Sequence, residues 1–118
     1  MPKRWGREVW LVNNELYCDK VLKILKGKRC SLHFHQLKTE SFYLRMGRLR
    51  VYVKESPTAE TLEEFELSAG ECMDIPRGLV HQMLALEDSE LFDFSTQHFD
   101  SDSYRIVPGD FTLDAEVK

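Results

Sequence analysis

The chain has 118 residues, 42% of them hydrophobic and 31% charged, which suits one ordinary domain and is too apolar for a disordered chain. Sixteen Lys and Arg against twenty Asp and Glu leave a net charge of −4, which argues against nucleic acid as the main partner because phosphate binding wants a basic face. The apolar runs fall far short of the roughly 20 residues of a membrane span, and the opening MPKRWGREVW lacks the apolar core of a secretory signal.

Glycines at 6, 27, 47, 70, 78 and 109 and prolines at 2, 57, 76 and 108 cut the chain into short segments, as in an all-β protein. Val9-Trp10-Leu11-Val12 is the first apolar run. Residues 17–26 pose a conflict, because Cys18, Val21, Leu22 and Leu25 fall on a helical stripe and pattern alone favours a helix there. Lys20, Lys23, Lys26, Lys28 and Arg29 follow one another without an acid, which reads as a solvated face, or as a patch able to meet a small anion. In residues 48–53, Leu49, Val51 and Val53 take one face and Arg48 and Arg50 the other, the pattern of a half-buried strand. Residues 54–60 form a polar turn with Pro57. Residues 62–67, 71–75, 80–86 and 91–96 are further strand candidates. Cys18, Cys30 and Cys72 are odd in number and form no CxxC pair, so free thiols and a reducing cytoplasm are expected.

The chemistry centres on histidine. His33 and His35 stand two apart, so a strand presents both rings on one face together with Ser31, with Leu32 and Phe34 on the other. After four residues able to turn the chain comes Glu40, which alternates with Phe42, Leu44 and Met46 and therefore looks inward. His81 follows the Pro76-Arg77-Gly78 turn and shares a face with Met83 and Ala85. A buried carboxylate needs a partner. Three neutral imidazoles and one carboxylate suit a first-row divalent ion with positions left open for a ligand. Taken alone, two histidines and a glutamate at this spacing are equally compatible with a surface pattern.

The full spacing is Gly27-x5-His33-x-His35-x4-Glu40-x6-Gly47, then Gly70-x5-Pro76-x-Gly78-x2-His81. It resembles the two motifs of the cupin superfamily at every interval, and the resemblance runs over about residues 5–107, followed by a short tail at 108–118. Ala85 stands where many members carry Asn, a position that is not a ligand. The resemblance implies one all-β jelly-roll barrel and a strand, not a helix, at residues 17–26. It also implies one divalent ion (Zn, Mn, Fe or Ni) held by His33, His35, Glu40 and His81. A homodimer is the family expectation.

Trp5-Gly6 and the closing stretch from Phe94 to Ile106 look like the cupin domain of type II phosphomannose isomerases and their small relatives. That likeness implies a sugar or sugar phosphate as substrate and aldose–ketose isomerisation as the reaction. Lys38, between two ligands, and Asp93, between Phe92 and Phe94, are the candidate bases; an inward Asp93 would have its pKa raised by burial. Arg105 is the candidate anchor for an anionic end, against an ion pair with Asp100 or Asp102 as its bland alternative. Arg77 is a weaker candidate. His98 reads as structural or exposed, and Trp5, Trp10, Tyr17 and Tyr43 as core. The alternatives are a non-haem iron dioxygenase with the same ligands, or a sugar-binding protein without turnover.

Overall fold

The computed structural model describes residues 2–30 and 32–107, so the tail at 108–118 and Ser31 lie outside the described residues. Its strands are β1 (Pro2–Lys3), β2 (Gly6–Asn13), β3 (Cys18–Ile24), β4 (Leu32–Phe34), β5 (Glu40–Met46), β6 (Arg48–Lys54), β7 (Glu63–Ser68), β8 (Cys72–Ile75), β9 (Val80–Ala85), β10 (Ser89–Ser95) and β11 (Tyr104–Val107). A short 3-10 turn, Asp100–Asp102, precedes β11. One sheet runs β1-β2-β3-β10-β5-β8 and the other β11-β4-β9-β6-β7, every pair antiparallel. The expected strands are all present, with ends moved by one or two residues.

The conflict at residues 17–26 resolves as strand. Cys18 and Leu22 are four apart, a spacing that serves a strand face as well as a helix face. Only Val21 and Leu25 favoured the helix, and neither is buried; Leu25 is 51% exposed. In β3 the buried positions are Cys18, Lys20, Leu22 and Ile24. Pairing with β2 on one side and β10 on the other satisfies the backbone, which a lone helical turn could not do here.

Each inward row changes from polar to apolar along its strand. Lys20 gives way to Leu22 and Ile24, Glu40 to Phe42 and Leu44, His81 to Met83 and Ala85, and Asp93 to Leu91. One end of the barrel is therefore an apolar core of Leu22, Ile24, Phe42, Leu44, Leu49, Val51, Leu67, Ile75, Met83 and Leu91. The other end gathers the charged and imidazole groups. Met46 was expected inward and is 44% exposed, because the β5–β10 register shifts between Glu90 and Leu91. Leu32 was expected to face away from the histidines, and it is buried all the same, at 3% exposure. Gly47, between β5 and β6, has φ +96°, and a Cβ there would stand 2.6 Å from the carbonyl oxygen of Asp88. No helix among the described residues is long and apolar enough to cross a membrane.

Candidate metal centre

His33 lies in β4, His35 just beyond its end, Glu40 at the first position of β5 and His81 near the start of β9. His33 pairs directly with His81 across the β4–β9 ladder. The second-motif turn is tied to the first motif by a bond from the Gly78 N–H to the His35 carbonyl, 2.7 Å. One ring nitrogen from each of His33, His35 and His81 falls within 4.8 Å of the others.

Two of these rings have their tautomers fixed by what they touch. His35 Nδ1 is 3.1 Å from the carbonyl oxygen of Asp102, and His81 Nδ1 is 3.0 Å from that of Leu79. A carbonyl only accepts, so each Nδ1 carries the hydrogen and donates it. The lone pair of each neutral ring is then on Nε2. Both Nε2 atoms face Glu40 Oε1, at 3.5 and 3.6 Å. Oε1 is buried and accepts no hydrogen bond among the described residues. Acceptors thus converge on acceptors, an arrangement that repels until a cation enters. Ligand atoms about 2.1 Å from a metal stand about 3 Å apart, so the two Glu40–imidazole pairs are near that spacing and the histidine nitrogens, within 4.8 Å of one another, would draw in on an ion. The three histidines could hold a first-row divalent ion, and Glu40 Oε1 stands beside two of them.

Burial drives the His35 pKa down to about 4, more than the Glu40 charge can restore, which leaves the neutral ring that ligation requires. Burial alone would raise Glu40. The bond from Asp93, with the Lys38 charge beside it, outweighs that and holds Glu40 well below the usual carboxylate range. Asp93 moves the other way, raised by complete burial and by the Glu40 charge beside it. The two carboxyl groups share one proton, held by Asp93 and donated to Glu40. Oδ1 of Asp93 has no hydrogen-bond partner among the described residues.

Lys38 is buried, with Nζ 3.4 Å from Glu40 Oε2 and 2.8 Å from His98 Nδ1. His98 Nε2 in turn meets Asp100 Oδ1 at 3.1 Å. Burial and the Lys38 charge lower the His98 pKa. The turn that carries these groups is organised by Asp102, which is 1% exposed. Its carboxylate accepts the N–H groups of Gln36, Leu37 and Lys38 at 2.9 to 3.2 Å, while its own carbonyl orients His35. Above the site opens a cavity of about 950 Å³, walled by Trp10, Lys20, His98 and Arg105 among others.

A family model described as Cupin matches residues 23–115, a span that includes both motifs. The chain belongs to the cupin family. A comparison with curated proteins gave no match. Among solved structures, KdgF from Halomonas sp. is 21% identical with a TM-score of 0.68, each chain covered to 80%. The capsular polysaccharide assembling protein CapF from Staphylococcus aureus is 20% identical with a TM-score of 0.75, over 89% of this chain and 31% of that one. Oxalate decarboxylase OxdC from Bacillus subtilis is 20% identical with a TM-score of 0.70, over 79% and 25%. The cupin thus spans about a third of CapF and a quarter of OxdC. At these identities the likeness is one of fold.

Of the residues singled out from sequence, this cupin brings His33, His35, Glu40, His81, Lys38 and Asp93 together at the cavity floor. Arg105 is exposed on β11 opposite His33 and lines the cavity. Neither acid proposed as its partner holds it: Asp102 caps the turn at 36–38 and Asp100 meets His98. Arg77 is elsewhere, its Nε donating to the Leu37 carbonyl at 2.8 Å, so it braces the turn from outside. Three residues were missed. Asp102 and His98 lie outside both motifs, and only the return of the chain after β10 brings them to the site. Lys20 was read only as one of a run, a solvated face or a patch able to meet a small anion, and is 5% exposed. Trp5 packs on the core as expected. Trp10, expected in the core, is 38% exposed at the cavity, because β2 lies near the edge of its sheet with little to cover it, and Tyr17, also expected there, is 49% exposed in the turn between β2 and β3.

Proposed function

We propose that this cupin holds one divalent metal ion through His33, His35, Glu40 and His81 and catalyses proton transfer on a sugar or sugar phosphate, as an aldose–ketose isomerase. The observation that carries this is the convergence of Glu40 Oε1 and two lone-pair Nε2 atoms without a hydrogen between them, beside the buried Asp93. When bound, the metal supplies Lewis-acid polarisation of a carbonyl. The chain supplies the rest. Asp93 Oδ1 is unpartnered, so it can take a proton from a ligand carbon as the proton on its other oxygen passes to Glu40, and return one to the neighbouring carbon as the pair resets. Lys38 is held between Glu40 and His98, which suits it to stabilise developing negative charge rather than to roam as a base. Arg105 is placed to meet an anionic end with two parallel hydrogen bonds. CapF, titled a capsular polysaccharide assembling protein, gives the carbohydrate reading a neighbour in fold.

The test is incubation of the metal-loaded protein with hexose and pentose phosphates in deuterated water. Exchange of the C2 proton, followed by NMR, is the expected result. Ligand binding without exchange at C2 of any member would replace this reading with that of a sugar-binding protein.

A further inference from the structure

One wall of the cavity has no part in the reaction proposed above. Lys20 occupies an inward position of β3, paired across the ladders with Asp93 in β10 and with Trp10 in β2. It is 5% exposed, on the same inward row that carries Leu22 and Ile24 below it. A buried ammonium is costly unless paired and hydrogen-bonded. Yet its nearest carboxylate oxygen, Glu8 Oε2, is 3.9 Å away, beyond hydrogen-bond distance. The Trp10 ring lies 4.6 Å from Nζ and offers a π face but no lone pair. Asp93, the cross-strand neighbour, is bonded to Glu40 instead. Among the described residues no acceptor takes any of the three Lys20 donors, and the side chain lines the cavity.

The wall is continuous with the candidate metal centre. Trp10 packs edge-on against His98 with centroids 5.0 Å apart, and His98 lies 6.2 Å from His35. We propose that Lys20 is a ligand-binding residue, a buried cation with free donors on the cavity wall that receives an anionic oxygen group, so that the ligand class is sugar acids and sugar phosphates and not neutral sugars. A compact ammonium with free donors suits a carboxylate or phosphate oxygen. The proposal rests on the preceding reading only in using the same cavity; it does not depend on turnover.

The experiment is calorimetric titration of the metal-loaded full chain with matched probes: galacturonate against galactose, and glucose 6-phosphate against glucose. At least one acidic probe should bind ten-fold or more tighter than its neutral partner. Lys20→Met should cut that preference at least five-fold, Arg105 holding what remains, while leaving metal content and neutral-sugar binding unchanged, and Lys20→Arg should retain it. An undiminished preference in Lys20→Met, or no acidic probe bound by the wild type, would overturn the proposal. A measurement on the wild type covers the case of a variant that does not fold. With lysine side chains isotopically labelled, the Lys20 resonance, identified by its loss in Lys20→Arg or Lys20→Met, should move on titration with the acidic probe alone, and its failure to move would refute the assignment. Lys20-dependent acid binding without C2 exchange would keep this inference and remove the isomerase reading, whereas exchange without any acid preference would do the reverse.

Discussion

Asp102 is the residue whose loss should reveal how the candidate metal centre is held. Its buried carboxylate accepts three backbone N–H groups from the turn between His35 and Glu40. Hydrogen bonds to a charged group contribute about 1.5–3 kcal/mol each, and they do not add when they share one acceptor. Asp102→Ala removes all of them and strands the N–H groups at a partly buried turn. The expected loss is about 3–5 kcal/mol, comparable to breaking a buried ion pair. For a chain of this size that is about 12–20 °C in Tm. Asp102→Asn keeps one acceptor oxygen and should fall between the two. The assay is urea unfolding of chelator-treated protein, so that metal does not mask the effect. A second readout is metal affinity. The main-chain carbonyl of Asp102 that orients the His35 ring survives the substitution, but the carboxylate no longer fixes its turn against residues 36–38, so metal affinity should fall, by up to the 10–100-fold that outright loss of such an outer partner costs. A loss below about 1 kcal/mol for Asp102→Ala, with metal affinity unchanged, would refute the role given to this residue.

Acid should destabilise the metal-free protein. His35 titrates near 6.5 in the unfolded chain and at about 4 in the folded one, so between those values the unfolded chain binds more protons and stability falls as pH falls. The His35 contribution is up to about 3 kcal/mol, and His98 shifts in the same direction. Equal unfolding free energies at pH 7 and pH 5 in the chelated protein would contradict this. Asp93 has the opposite sign: its raised carboxyl makes it a cost to the fold above the usual carboxylate pKa. Asp93→Asn keeps a donor toward Glu40 and should leave metal-free stability at pH 7.5 equal or higher, while C2 exchange drops by about 100-fold or more; a large loss of stability with full exchange would exclude Asp93 from the chemistry. Lys38→Met strands Glu40 and His98 together and should cost about 3 kcal/mol in chelated protein, measured by urea unfolding, whereas a neutral result would mean that the buried pair contributes nothing.

The sequence was most legible where period and spacing agree. Alternation located β6 and β9, and the glycine-bounded intervals carried the cupin resemblance that implied His33, His35, Glu40 and His81 as one ligand set. Residues 17–26 were less legible, since the Cys18–Leu22 spacing satisfies both periods and only the neighbouring strands decide between them. What could not be read was the work of distant chain. Asp102 caps a turn 64 to 66 residues away, and His98 meets Lys38 across 60. Neither contact leaves a local pattern. Lys20 was obscured in a different way: a run of lysines looks solvated, and inward alternation in β3 singles out one of them. Arg77, chosen for its place beside the second motif, proves to brace a turn because its side chain leaves the barrel on the outer side.

Binding of one divalent ion by His33, His35, Glu40 and His81 is tested most directly by elemental analysis. Wild-type protein, purified, saturated with a divalent ion and freed of excess, should carry one ion per chain. His81→Ala removes one of the two Nε2 lone pairs that face Glu40 and should retain less than about a tenth of that ion at pH 7.5, with a lower Tm that added metal does not restore. Stoichiometric metal in His81→Ala, or a wild type that takes up none, would contradict the centre described here.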